Sequence, residues 1–398
     1  MADELGISGR GKALPVTVLG SLQILSYGTT FYLLAILAAP ITRDTGWAYP
    51  YVIAGISVAL FVAGLVSPWV GRAISARGGS PVMALCAALI ALGLLAIGTA
   101  QNIAWYLAGW AVVGVGMGGG LYDAAFATLG RLYGKEARGA ITGVTLLGGF
   151  ASTVCWPVSA FLVENFGWRI ACFTYAAVWL GIAAPLYLFA VPQAQPLEPI
   201  PAAHPSNVQQ VPTSRETLMF LVLAAALTIS AAILSGMGAH LVTLLQGRGL
   251  DLSAAVGLGM LIGPSAVGAR LVEMFAGKRY HPIWTMVASA GLVAIGMCLF
   301  FTEPWLFGLA VVLYAAGNGI GSIAKGTLPL ALFGPARYPV LMGRLGLPIM
   351  IAMALMPYLG AIAYEHGGPN WTFGIILALA LTNVLLVAWL WVLSRSRR

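Results

Sequence analysis

Nearly the whole of this 398-residue chain is used up in apolar stretches long enough to cross a bilayer. Roughly 20 apolar residues cover the ~30 Å of hydrocarbon. Twelve such stretches can be drawn, over residues 14–39, 49–70, 81–100, 103–130, 139–163, 168–191, 217–245, 252–269, 281–300, 305–330, 339–363 and 371–393. Charged residues make up only 8% of the chain against 60% hydrophobic, too few to cover a water-soluble domain of this length. In hydrocarbon a segment must satisfy its own backbone, which a helix does. The chain therefore reads as an all-α membrane protein with twelve transmembrane helices.

Charge placement tests that count. With the N-terminus inside, fifteen of the 20 Lys and Arg residues fall on inner segments and three (Arg43, Arg169, Arg248) on outer loops. Arg270 lies near an inner end and Lys325 inside a span. This is the asymmetry that the positive-inside rule demands, and it puts both termini in the cytoplasm. The formal charge of +8 is explained by this distribution and implies no nucleic-acid partner. The opening MADELGISGRGK is polar and lacks a cleavable-signal pattern, so the first span is expected to be retained.

The two halves echo each other at an offset near 200 residues. AVVGVGMGGGLYDAAFATLG from Ala111 parallels AVVLYAAGNGIGSIAKGTLP from Ala310. Pro157 parallels Pro357, and Glu164 and Trp168 parallel Glu365 and Trp371. The Pro-, Gln- and Ser-rich interval between the halves reads as a linker. The expected organisation is a six-helix bundle over 1–191, a cytoplasmic linker over 192–216 and a second bundle over 217–398. Parallel repeats of six helices describe a transporter architecture.

On these features the chain resembles the major facilitator superfamily along its whole length. The loop GRAISARGGSP from Gly71 is similar to the family's G-x-x-x-D-R-x-G-R-R loop, with Gly71 and Gly78 kept. Ser75 and Ala76 stand where that pattern has Asp and Arg, so the gating role of the loop falls to Arg72. Arg270 and Glu273, ending the eighth span, resemble the missing charged part and are assigned to the gate. Within the superfamily the chain resembles bacterial monocarboxylate and organic-anion porters. Eukaryotic monocarboxylate carriers place an Arg before a Pro-Ser in the eighth helix, where this chain has Gly263. The resemblance implies a central cavity lined by helices 1, 4, 7 and 10. It also implies a monomer embedded in lipid, with a bacterial inner-membrane location.

Two nucleotide-like patterns carry nothing. Gly6-x4-Gly11-Lys12 is followed by Ala13 where a phosphate loop needs Ser or Thr, and Gly114-x-Gly116-x-x-Gly119 lies inside a span. Glycines there let helices approach closely. Cys86, Cys155, Cys172 and Cys298 are scattered, and the four histidines (His204, His240, His281, His366) show no ligand spacing. The reading is of a protein without metal or cofactor, and not an enzyme.

Ionisable side chains in hydrocarbon are costly and mark paths or partners. Three lie clearly inside spans: Asp123 in the fourth, His240 in the seventh and Lys325 in the tenth. Helical spacing places each on a polar stripe: Gly116, Gly120 and Asp123; Gly236, His240 and Thr243; Asn318, Ser322 and Lys325. The first span adds Gln23, Tyr27 and Thr30. A carboxylate shielded from water exchanges protons nearer neutral pH, which makes Asp123 the expected proton carrier, with His240 the next candidate. Lys325 is expected to bind an anion or hold Asp123. Gln23, Tyr27, Tyr122, Asn318 and Ser322 are expected to orient the substrate, with Tyr32 shaping the pocket. The leading expectation is alternating-access, proton-coupled transport of a small organic anion. Proton-coupled efflux of a drug-like or toxic compound is the alternative, and a membrane channel is the alternative of another class.

Overall fold

The computed structural model describes residues 9–193 and 214–395, and every regular element among them is helical. Ten helical stretches are long and apolar enough to cross a membrane. We label the first four α1 (Ala13–Thr45), α2 (Tyr49–Arg77), α3 (Gly79–Gly98) and α4 (Ile103–Tyr133). Ala137–Phe189 and Tyr338–Arg395 run to 53 and 58 residues, more than twice one crossing, and each is interrupted by a left-handed glycine, Gly167 at φ 83° and Gly368 at φ 69°. Divided there they supply α5 (137–166), α6 (168–189), α11 (338–367) and α12 (369–395). Between them lie α7 (Ser214–Gly247), α8 (Leu252–Ala276), α9 (Pro282–Leu299) and α10 (Pro304–Phe333). The expected linker falls mostly outside the described residues, and α7 is already helical from Ser214.

Helix ends follow local chemistry. Asn102 caps α4 by accepting the Trp105 N–H at 2.8 Å, and Asp251 caps α8 by accepting that of Ala254 at 2.7 Å. Asp251 is thereby held below the usual carboxylate range, first by the Ala254 N–H and then by the Ser253 hydroxyl.

The chain forms two compact units: Met1–Gln193 with Phe333–Ala354, and Ala194–Leu332 with Leu355–Arg398. In the first unit the glycine run of α4 works as helix-packing surface. A Cβ on Gly114 would lie 2.5 Å from the Ala59 carbonyl oxygen of α2, and one on Gly116 would lie 2.7 Å from that of Cys86 in α3. Backbones this close exclude any side chain, which is why the run reads as glycine. The core of the second unit gathers Met237, Leu241, Met297, Phe300, Phe307, Tyr314 and Phe373 from α7, α9, α10 and α12.

Candidate functional site

The site residues of the first unit are organised by a break in α4. Ile103–Gly120 ends, Leu121 adopts an extended conformation (φ −87°, ψ −179°), and the helix restarts at Tyr122. Such a break frees a carbonyl that hydrocarbon cannot solvate. Two side chains of α1 take it up: Gln23 Nε2 and Ser26 Oγ each donate to the Gly120 oxygen at 2.9 Å. Of the stripe that spacing placed on α1, Gln23 thus helps hold the break in α4 together, with Ser26, which spacing did not single out, beside it.

Asp123 sits in the first turn of the restarted helix and is only 3% exposed. The N-terminal end of a helix carries a partial positive charge that favours an acidic group there. The carboxylate lies in a crevice with Ser67, Val70, Gly71 and Ile74 of α2 and Gly343 of α11. It also interacts electrostatically with Tyr27 and Tyr338.

Aromatic rings wall the adjoining space. The Tyr27 and Tyr122 centroids are 4.7 Å apart, Tyr122 stacks on Phe126 at 5.2 Å, and Tyr32 meets Trp156 edge-on at 6.1 Å. Gly148 of α5 leaves room for the Tyr122 hydroxyl, which a Cβ there would approach to 2.3 Å. The Gly116–Gly120–Asp123 face is filled by neighbouring helices. Ile90 of α3 occupies the space beside both glycines, and Ser26 lies against Gly120.

In the second unit the α10 stripe is bound up locally. Asn318 Nδ2 donates to the Tyr314 oxygen at 3.0 Å, and Ser322 Oγ to that of Gly319 at 2.7 Å. Lys325, one turn further on, is half-buried. Arg270 reaches this stripe from α8, its Nε lying 3.2 Å from both Ser322 Oγ and the Gly319 oxygen. Glu273 accepts the Thr285 hydroxyl of α9 at 2.7 Å. The two residues paired by sequence therefore engage different helices. His240 Nε2 lies 2.8 Å from the Pro357 oxygen of α11, in space that a Cβ on Gly360 would fill.

Toward the C-terminal end of α2, Arg72 is exposed. A residue that sequence reasoning missed closes this end: the Arg131 guanidinium of α4 donates to the Ile74 and Ser75 carbonyls. A cation at a helix C-terminus satisfies carbonyls that have no intrahelical partner. Sequence signalled it only as a basic residue ending α4. At the opposite end of the unit, Asp44 pairs with Arg169 and accepts the Trp168 indole N–H at 2.9 Å.

A family model described as Major Facilitator Superfamily matches residues 19–279. The chain belongs to the Major Facilitator Superfamily. A second family model, described as PUCC protein, matches residues 168–393 of this facilitator. Among curated relatives, the gentisate transporter of Corynebacterium glutamicum is 24% identical, over 79% of this chain and 72% of its own. The multidrug resistance protein MdtL of Escherichia coli is 25% identical, over 85% of this chain and 84% of its own. Among solved structures, the human organic anion transporter MFSD10 shares the fold at a TM-score of 0.76 and 17% identity, covering 94% of this chain and 99% of that one. The facilitator is a multi-pass membrane transporter and not an enzyme.

Proposed function

We propose that this facilitator moves a small organic anion together with protons, by alternating access, as a monomer in the bacterial inner membrane with both termini cytoplasmic. The observation that carries the reading is Asp123: a buried carboxyl at the restart of an interrupted membrane helix, beside Tyr27 and Tyr122. Interrupted helices supply binding and coupling groups in secondary transporters. Asp123 carries the proton, and His240 is the second proton-coupling candidate. Gln23, Tyr27, Tyr122, Asn318, Ser322 and Lys325 bind the substrate, while Arg72, Arg270 and Glu273 act in gating. The six-helix bundles over 1–191 and 217–398, joined through 192–216, are the units that move. The gentisate transporter relative supports an anion. The MdtL match, over 85% of the chain, favours drug efflux as the second reading.

The test is uptake of labelled gentisate into proteoliposomes with an imposed pH gradient, alkaline inside. Accumulation that collapses on adding a protonophore is expected. Uptake indifferent to the protonophore would overturn proton coupling. Absence of gentisate and benzoate transport, with gradient-driven export of a multidrug-type dye, would replace the anion reading by efflux.

A further inference from the structure

α1 is not regular throughout. Between Tyr27 and Phe31 it widens into a π-turn, closed by the Tyr32 N–H on the Tyr27 oxygen at 2.8 Å. Residues five apart stand about 140° from one another around an α-helix, but one above the other where the hydrogen bond spans five residues. The turn therefore brings Tyr32 onto the face of Tyr27. The two ring centroids lie 6.3 Å apart, and Phe31 joins them at 5.0 Å from Tyr32. In regular α-helical register the aromatic wall of Tyr27, Tyr122 and Trp156 would lose Tyr32.

A wide turn is uncommon inside an α-helix and frequently marks a functional site. Here side chains take up the backbone oxygens around it. Thr29 Oγ1 donates to the Leu25 oxygen at 2.8 Å, Thr30 Oγ1 to that of Ser26 at 2.5 Å, and the Cys155 thiol of α5 to that of Ile24 at 3.5 Å. A strut reaches the turn from α6: the Trp179 indole N–H donates to Thr29 Oγ1 at 2.9 Å, and both side chains are fully buried. Thr29 thus accepts from α6 while donating to its own helix. Trp179 opens a second π-turn, Trp179–Ala183. A return of α1 to regular turns would carry Thr29 away and strand a buried indole N–H, which is costly.

We propose that Trp179 is a positioning residue for substrate selection: through Thr29 it holds open the turn that sets Tyr32 beside Tyr27, and so makes the site prefer an aromatic acid to an aliphatic one of the same size. Rings placed edge-on or offset against a flat π face add to what burial alone contributes, and a saturated ring presents no such face. Fixing the turn before the substrate arrives means that less freedom is lost on binding. The inference rests on the organic-anion reading proposed above and adds to it the feature of the anion that the site reads.

The test titrates the purified full chain with benzoate and cyclohexanecarboxylate and follows thermal unfolding, since a ligand of the folded state stabilises it in proportion to its occupancy. The two acids have equal carbon count and charge, and only benzoate has a π face. The wild type should prefer benzoate by at least about fivefold. Trp179→Phe removes the indole N–H, and Thr29→Val removes the hydroxyl at nearly constant volume. Each should bring the two affinities to within about twofold of one another, as the loss of one buried hydrogen bond releases the turn. Thr29→Ser keeps the hydroxyl and should keep the preference. Thr29→Val decides the matter if Trp179→Phe fails to fold. Tyr32→Leu should abolish the preference by itself, and adding Trp179→Phe to it should change neither affinity further, because the strut acts through Tyr32. A merely structural strut would lower the unliganded unfolding temperature and leave the preference intact, and that result would overturn the inference. Independent, additive effects of Tyr32→Leu and Trp179→Phe would also overturn it. A wild type that binds the two acids equally would overturn it and leave the anion reading standing. A wild type that neither acid stabilises would remove the anion reading first and this inference with it.

Discussion

At the residue scale the decisive group is a carboxyl kept from water. Asp123 is the only fully buried acid among the described residues, while the other acidic side chains lie at helix ends or on partly exposed faces. Asp123→Asn keeps shape and hydrogen-bonding capacity but cannot exchange a proton. We expect it to retain substrate counterflow at matched pH and to lose all dependence of uptake on the pH gradient. Gradient-driven accumulation at the wild-type level in Asp123→Asn would pass the carrier role to His240. The Gly120 carbonyl makes a second prediction. Gln23→Ala leaves Ser26 as its donor, so the cost should be no more than about 1 kcal/mol. Gln23→Ala combined with Ser26→Ala leaves a buried carbonyl unsatisfied and should cost a further ~1–3 kcal/mol, read as a fall in unfolding temperature. Additive, negligible effects would show that water reaches the break.

At the element scale, helix contacts here are made by what is missing from side chains. Gly114 and Gly116 of α4 meet the backbones of α2 and α3. Gly71 of α2 and Gly343 of α11 face each other, a Cβ on either lying 2.9 Å from the other's Cα. A backbone atom cannot swing aside as a side chain does. Gly114→Val should therefore push α4 off α2 and cost about 1–3 kcal/mol or more, visible as poor yield of monodisperse protein. Gly139, where a Cβ meets nothing within 4 Å, is the control, and Gly139→Ala should be silent. Equal behaviour of the two variants would show that the α2–α4 seam is looser than described. The seam pattern was legible in sequence as dense small residues. Which helix each glycine meets was not, because one glycine run serves two neighbours on opposite faces.

At the scale of the whole molecule, the first compact unit includes residues 333–354, which take in the N-terminal half of α11. The sequence repeat would assign them to the second half of the chain. Gly71, Gly343 and Gly346 make this association possible. A Cβ on Gly346 would lie 2.1 Å from Ser67 Oγ and 3.6 Å from Asp123 Oδ2. Gly343→Leu should hold this seam apart, leaving folding largely intact but stopping net transport. A cysteine at Ser67, 1% exposed in this structure, should then react with a thiol reagent many times faster. Unchanged reactivity at Ser67 would mean the seam absorbs the side chain by local adjustment. The inner location proposed for the linker and the C-terminus has its own test at Ser206 and Ser396, both outside the described residues. Cysteines there should be labelled only after the cells are permeabilised.

The span-length helices, the family and the polar stripes on the first, fourth, seventh and tenth spans were determined by sequence alone. The reason is that hydrocarbon imposes its demand locally. Each crossing must be apolar and self-bonded whatever its neighbours do, so length, hydropathy and charge bias can be read one segment at a time. The interruption at Leu121 is different. Tyr122 and Asp123 follow an unbroken apolar run, and the helix opens there because Gln23 and Ser26, almost a hundred residues earlier, donate to the freed Gly120 carbonyl. The cap on α2 by Arg131, and the turn of Arg270 onto Ser322 instead of toward Glu273, have the same origin. A long polar side chain in a membrane protein takes the partner that packing brings within reach, and only the tertiary structure decides which that is.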